Sequence, residues 1–308
     1  MILNVSSRTD ICAYYSQWFY NRIKEGFVDV RNPFVPTLVS RILLTPSEID
    51  AIIFCTKNPQ PMLAQLDLLK EFKIAFQVTI TPYHRDIEPY VPPKKQTIQA
   101  FNMLAQKLGI DHVVWRYDPI LINDIYTLDY HRRAFQRLCQ HLAGSTKLCI
   151  ISFLDMKKNT LKHASDCQLR SLTDQEVKQI AQSFEEIAKK YGIALQTCCE
   201  DYDLTEFGIT NSGCINATWL SKVLKTTSIS PKLGKTRSNC NCLATVDIGQ
   251  YNTCPHLCKY CYANYQESEV LPNREIHDVN SSFLIGHAKV NDQRKVRRSD
   301  HQQLQLLL

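Results

Sequence analysis

The sequence predicts an α/β protein built as a (β/α) TIM-like barrel, partial or complete, and three observations lead there. Apolar, strand-like runs alternate with amphipathic helical stretches, giving seven units along 308 residues. Such repeated strand-then-helix units with buried strands make a mostly parallel sheet. Six of the apolar runs lead straight into polar residues able to do chemistry, as strands do at the mouth of a barrel. Seven units favour a ring over an open doubly wound sheet, and no G-x-G-x-x-G fingerprint marks a dinucleotide site.

The first strand is ILNVS (2–6), followed by a helix over SQWFYNRIKEG (16–26). Residues 27–45 carry two prolines, Pro33 and Pro36, which interrupt any helix, and read as an excursion. The alternation then settles into AIIFC (51–55) with helix PMLAQLDLLKEF (61–72), and IAFQVTIT (74–81) with helix KKQTIQAFNMLAQKLG (94–109). HVVWRY (112–117) precedes helix 128–144, KLCIISFL (147–154) precedes helix 173–192, and ALQTCC (194–199) precedes helix 214–225. LATVDIG (243–249) is the last strand. Gly26, Gly109, Gly144 and Gly192 each close a periodic run, where helix stop signals belong.

The strand ends supply SSRTD, TKN, YHRD, RYD, LD and ED. Convergence at one mouth would place Arg8, Asp10, Lys57, Asn58, Arg116, Asp118, Asp155 and Glu200 around a single cavity. Of these, Arg8, Asp10, Lys57, Arg116, Asp118 and Glu200 are the candidate catalytic residues.

Composition narrows the class. Apolar residues make up 44% and charged ones 21%, a globular balance. No apolar run is long enough to span a membrane, and MILNVSSRTD lacks the basic-then-apolar pattern of a secretory signal, so a cytoplasmic protein is expected. Net charge is +6, and the last 22 residues hold five Lys/Arg against two Asp. One domain is expected over 1–286, including a cysteine-rich part at 198–265, with a basic flexible tail over 287–308. Such a tail offers contact to nucleic acid, although no aromatic residue interleaves with its charges.

Eight of the thirteen cysteines fall between residues 198 and 261. In a reducing compartment such clustering points to metal binding or chemistry rather than to disulfides. Within YNTCPHLCKYCYANY (251–265), Cys254, Cys258 and Cys261 form C-x3-C-x2-C. Iron–sulfur clusters are held by thiolates at such short spacings, whereas a structural zinc site wants four ligands. His256 between the first two cysteines would make a cramped fourth ligand. A 4Fe–4S cluster on three thiolates leaves one iron open to substrate or cofactor, as catalytic metal sites do.

The segment from Cys254 to Cys261, with Tyr260 before the last cysteine, resembles the C-x3-C-x-aromatic-C motif of the radical S-adenosylmethionine superfamily. That resemblance implies a β/α barrel, an open iron chelating the amino and carboxylate groups of S-adenosylmethionine, and Tyr260 beside the adenine. The motif here follows the last strand rather than the first, a circularly shifted order that would put the cluster loop next to SSRTD (6–10). No Gly-Gly-Glu segment is recognisable, and SSRTD, through Ser7 and Asp10, is expected to bind the cofactor instead. Over about residues 6–286, SSRTD, NRIKEGFVDVRNP, FCTKNP, WRYDPI, SFLD and DIGQYNTCPHLCKYCYAN also resemble an uncharacterised prokaryotic domain-of-unknown-function family with a C-terminal cysteine cluster of that kind.

Cys198, Cys214, Cys240 and Cys242 make a second set of four thiolates, suited to an auxiliary 4Fe–4S cluster, the preferred reading, or to structural zinc. Cys12, Cys55, Cys139, Cys149 and Cys167 read as structural. KLGKT (232–236) lacks the upstream glycine of a phosphate loop, G-x-S-x-G and H-E-x-x-H are absent, and His131 and His141 read as part of a solvated helix face. The expected function is reductive cleavage of S-adenosylmethionine to a 5′-deoxyadenosyl radical acting on an unknown substrate, with flavodoxin or ferredoxin as electron donor. The rival is a zinc- or iron–sulfur-stabilised nucleic-acid-binding module; a radical enzyme acting on nucleic acid combines the two.

Overall fold

The computed structural model describes residues 1–156, 158–226, 232–234 and 240–298. Its strands are β1 (Ile2–Asn4), β2 (Phe27–Arg31), β3 (Leu38–Leu43), β4 (Ala51–Thr56), β5 (Ile74–Thr79), β6 (Val113–Ile120), β7 (Leu148–Phe153), β8 (Ala194–Thr197), β9 (Thr210–Asn211), β10 (Thr245–Asp247) and β11 (Gln293–Arg297). Eight of them form one sheet in the order β10-β1-β4-β5-β6-β7-β8-β9, with every neighbouring pair parallel. The protein is therefore α/β with a parallel sheet. The two-residue β9 is a strand that the apolar pattern did not announce.

Consecutive strands pair as neighbours, while the last, β10, folds back beside the first with Ile2 opposite Thr245 and Asn4 opposite Asp247. Among the described residues no ladder joins β9 to β10. The segments beyond them nevertheless meet, since the Leu243 N–H donates to the Ile215 carbonyl at 2.8 Å.

Side chains alternate faces along a strand, and the alternation sorts the sheet into two faces. Phe54, Phe76 and Trp115 join the main core. There Phe135 and Phe184 stack at 3.8 Å between helices Leu128–Leu142 and Asp174–Lys190. On the other face, Ala51, Ile53, Ala75, Val114 and Ile150 pack with Trp219, Leu220 and Val223 of helix Ala217–Leu224. Continuing along that same face toward the C-terminal ends, Cys55, Thr79, Arg116, Asp118 and Ser152 are polar or reactive and line a cavity. One face thus changes from apolar floor to polar mouth within a few residues.

Three local departures from the sequence reading have physical causes. Residues 27–45, expected as an irregular excursion, form the antiparallel pair β2–β3. Pro33 and Pro36 fall between the strands, where a missing N–H costs no ladder bond. Asp29 is wholly buried there and is held by Arg41 through two hydrogen bonds of 2.8 Å. Gln60–Leu69, expected within an α-helix, is 3₁₀ with a kink at Gln65. Its buried Leu63, Leu66 and Leu69 recur every third residue, the period of a 3₁₀ turn. Within the basic tail, Gln293–Arg297 is the strand β11, parallel to β3, while the rest of the expected tail from residue 299 lies outside the described residues.

His131, expected on a solvated face, is fully buried. Its Nδ1 lies 2.7 Å from the Tyr117 hydroxyl and its Nε2 lies 2.8 Å from the Leu121 carbonyl. Burial holds its pKa down to about 4, so it is a neutral core histidine.

Phe184→Ala is expected to lower stability by about 3–5 kcal/mol in urea unfolding, because it empties the stacked aromatic centre. Phe34→Ala, at a side chain 90% exposed, is expected to stay within about 0.5 kcal/mol.

Candidate metal centre

A cavity of about 410 Å³ opens at the C-terminal ends of the main strands, within the range of ligand pockets. Nine of the thirteen cysteines line it, namely Cys55, Cys198, Cys199, Cys214, Cys240, Cys242, Cys254, Cys258 and Cys261. Both predicted cysteine sets therefore share one chamber. Cys55, which the sequence reading left as structural, belongs to it because it sits two residues along the strand from Ile53, on the same face.

The loop bearing Cys254, Cys258 and Cys261 is tied down at both ends. The Asn252 N–H donates to the Ala263 carbonyl at 2.9 Å. Asn264 donates to the Cys254 carbonyl at 2.7 Å, and Tyr15 donates to the Thr253 carbonyl at 2.6 Å. Asn252 and Leu257 hold left-handed φ values of 56° and 50°, which turn the chain sharply on both sides of Cys254. The Ala263 N–H points at the Cys261 sulfur at 3.4 Å, a contact that favours a thiolate acceptor.

SSRTD and the cysteine loop are neighbours, as the shifted order required. The Ser7 N–H donates to Asp247 at 3.2 Å, Arg8 pairs with the same carboxylate, and Tyr262 donates to the Ser7 carbonyl at 2.7 Å. A Cβ at Gly249 would lie 3.2 Å from the Arg8 and Thr9 backbone nitrogens, so glycine lets the two segments pass this closely.

Asp10 occupies the centre of this contact. Its Oδ1 accepts from the Ala13 N–H at 3.0 Å and from Thr56 at 2.7 Å. Its Oδ2 accepts from the Lys57 N–H at 2.8 Å and faces His256 Nε2 at 3.0 Å. The other nitrogen of His256 lies 3.0 Å from the Tyr14 hydroxyl. Both nitrogens of this buried ring are engaged away from the thiols, so His256 is not their fourth ligand.

Tyr260 is anchored through Glu88, a residue at no strand end and unsuspected in the sequence. Glu88 is buried and receives Tyr260 at 2.5 Å, Thr81 at 2.6 Å, Lys57 at 2.7 Å, and Lys94. Burial alone would raise its carboxyl, but the two ammonium groups outweigh that and leave it at about 2. The Lys57 nitrogen also sits 5.5 Å above the Tyr260 ring.

Each of the three mouth cations has an internal carboxylate. Arg8 pairs with Asp247, Lys57 with Glu88, and Arg116 with Asp118. Asp118 also accepts from Ser152, and Arg116 donates to Gln77 at 2.9 Å. Ser7, Asp10, Lys57, Arg116, Asp118, Asp155 and Tyr260 line the cavity; Arg8, Asn58 and Glu200 are not among its lining residues. Glu200 accepts from the Phe153 N–H at 2.9 Å.

Among the described residues, the one group of three or more possible metal ligands lying within 4.8 Å of one another is Cys198, Cys214 and Cys242. It can hold a metal ion. Cys240 lines the same cavity. Burial pushes the thiols of Cys254, Cys258 and Cys261 up, so they would carry protons until a metal displaced them.

Residues 2–263 match the family model described as a domain of unknown function, DUF1848, and the chain belongs to that family. No curated protein matches it. No helix among the described residues is long and apolar enough to cross a membrane.

Glu200 generates a pH prediction. Burial, with Asp118, Asp155 and Asp201 nearby, lifts its carboxyl from 4.5 to about 8 despite the opposing Phe153 hydrogen bond. A folded pKa above the unfolded one means the folded state holds the proton more tightly. Its contribution to stability is therefore complete below about 4.5 and lost as pH rises through about 8. Urea midpoints measured across that window are expected to fall with pH, and Glu200→Gln is expected to flatten the fall.

Proposed function

We propose that this protein is an iron–sulfur enzyme of the radical S-adenosylmethionine type, acting on a substrate held in the shared cavity. The observation that carries the reading is three thiols on one clamped loop, those of Cys254 and Cys258 buried and that of Cys261 half-buried, with the ring of His256 turned away from them. Three thiolates with no protein fourth ligand suit a 4Fe–4S cluster with one open iron. Cys254, Cys258 and Cys261 would hold such a cluster, whose chemistry there would be the one-electron reductive cleavage of S-adenosylmethionine.

The chain's own residues hold and shield this chemistry. Asp10 fixes the first strand's exit against the Lys57 backbone and His256, which keeps the loop at one distance from the sheet. Glu88 fixes Tyr260 at the cavity wall, where the ring can lie against an adenine. With Asp10 saturated by four partners, cofactor recognition falls to the half-buried, cavity-lining Ser7 rather than to the Asp10 carboxylate. The apolar floor and the enclosing loop limit water around a reactive radical.

The finer fold reading belongs to the same proposal. The parallel sheet is an incomplete ring of TIM type, supported by β10 returning beside β1 and by the contact from Leu243 to Ile215.

Electron paramagnetic resonance of anaerobically reconstituted, reduced protein tests the reading. A cluster signal that shifts on adding S-adenosylmethionine, and that is absent in Cys258→Ala, is expected. A signal indifferent to the cofactor, or protein that takes up no iron, overturns it. Glu88→Gln is expected to keep the cluster yet weaken cofactor binding about tenfold, the order seen for lost supporting contacts, readable as a shifted titration of the same signal.

A further inference from the structure

The two cysteine sets differ in spacing, and the difference identifies the second one. The Cys242 sulfur lies 3.3 Å from that of Cys214 and 3.5 Å from that of Cys198. A zinc–sulfur bond of about 2.3 Å places the corners of a regular tetrahedron about 3.8 Å apart. In a cubane cluster each thiolate binds a different iron, so its sulfurs stand well beyond contact. Cys254, Cys258 and Cys261 do not all approach within 4.8 Å, whereas Cys198, Cys214 and Cys242 do. The latter are also well outside the 2.03–2.05 Å of a disulfide.

Two further observations show that the backbone is built around this group. The Cys214 N–H points at the Cys242 sulfur at 3.2 Å, the outer contact that supports a metal-bound thiolate. Gly213, at φ +78°, lies so close to the opposite segment that a Cβ would meet Asn241 at 2.7 Å and the Cys242 nitrogen at 2.8 Å. The glycine lets the Cys214 segment press against the Cys242 segment. These are the same two segments that meet, without a ladder, through Leu243 and Ile215.

We infer that Cys198, Cys214 and Cys242 hold a single tetrahedral thiolate-loving ion of the zinc class that staples the open seam of the sheet, its fourth corner left to the cavity that Cys240 also lines. Soft thiolates in a tetrahedron select zinc among the common divalent ions. The ion joins the end of β8 to the approach to β10, where main-chain hydrogen bonding is sparse. This goes beyond the proposed radical chemistry and stands without it, since the triad and the staple use separate ligands.

Metal analysis of the full chain, purified anaerobically, tests it in four forms. Wild type and Cys258→Ala are each expected to hold one zinc per chain, the latter without iron. Cobalt(II) in place of that zinc is expected to give the visible bands of a tetrahedral thiolate site. Cys214→Ala is expected to lose the zinc and the cobalt bands while keeping the iron of the other loop. Gly213→Ala, which keeps every ligand, is expected to bind cobalt about 10–100-fold more weakly, as outer-contact losses do. Cys258→Ala that retains iron and sulfide at the second set overturns the inference, as does a second set that takes no metal and oxidises to a disulfide. Should Cys214→Ala fail to fold, Gly213→Ala and Cys258→Ala decide alone: unchanged cobalt affinity in the first, or no zinc in the second, overturns it. If the triad proves to bind no iron while Cys258→Ala still holds zinc, the radical reading fails and the staple stands.

Discussion

The parallel pairing of β10 with β1 is the constraint on which the rest depends. It brings a cysteine loop from beyond residue 250 to the strand end at residue 6, across the whole length of the chain. Four hydrogen bonds hold the junction above the strands, one from Ser7 and two from Arg8 to Asp247 and one from Tyr262 to Ser7. Without that register the thiols of Cys254, Cys258 and Cys261 would not face the cavity, and Asp10 would have neither His256 nor its role as a latch. A motif that follows the last strand lies beside the first strand's end because β10 pairs directly with β1.

Charge is handled in the same economical way around the chamber. Among the described residues, Arg8, Lys57 and Arg116 are each paired with a carboxylate, Lys57 sharing Glu88 with Lys94. Glu88 shows why this matters, because two lysines and a tyrosine converge on one carboxylate that burial would otherwise neutralise.

Much of this was legible in the residues, and the omissions have reasons. Apolar strand runs such as AIIFC and IAFQVTIT declared a buried parallel sheet, and the C-x3-C-x2-C spacing marked its loop locally. His131 was also legible in principle. It shares one helix stripe with Phe135, Leu138 and Leu142, all buried, and its polarity outweighed its position. The hairpin β2–β3 stayed hidden because Pro33 and Pro36 suggested irregularity, although they fall in its turn. What no spacing could supply was partnership across loops. Lys57 meets Glu88, Arg8 meets Asp247, and Cys198 meets Cys242 only once the sheet is folded. The strand-end rule found side chains near the mouth but could not tell a ligand from a brace, and so it promoted Arg8 and Glu200, which do not line the cavity.

The measurement that bears most directly on the central claim is product analysis of S-adenosylmethionine incubated anaerobically with the iron-loaded protein and a strong reductant. The account predicts 5′-deoxyadenosine and methionine in equal amounts, with none formed by Cys258→Ala. Intact S-adenosylmethionine beside a fully reduced cluster would contradict it.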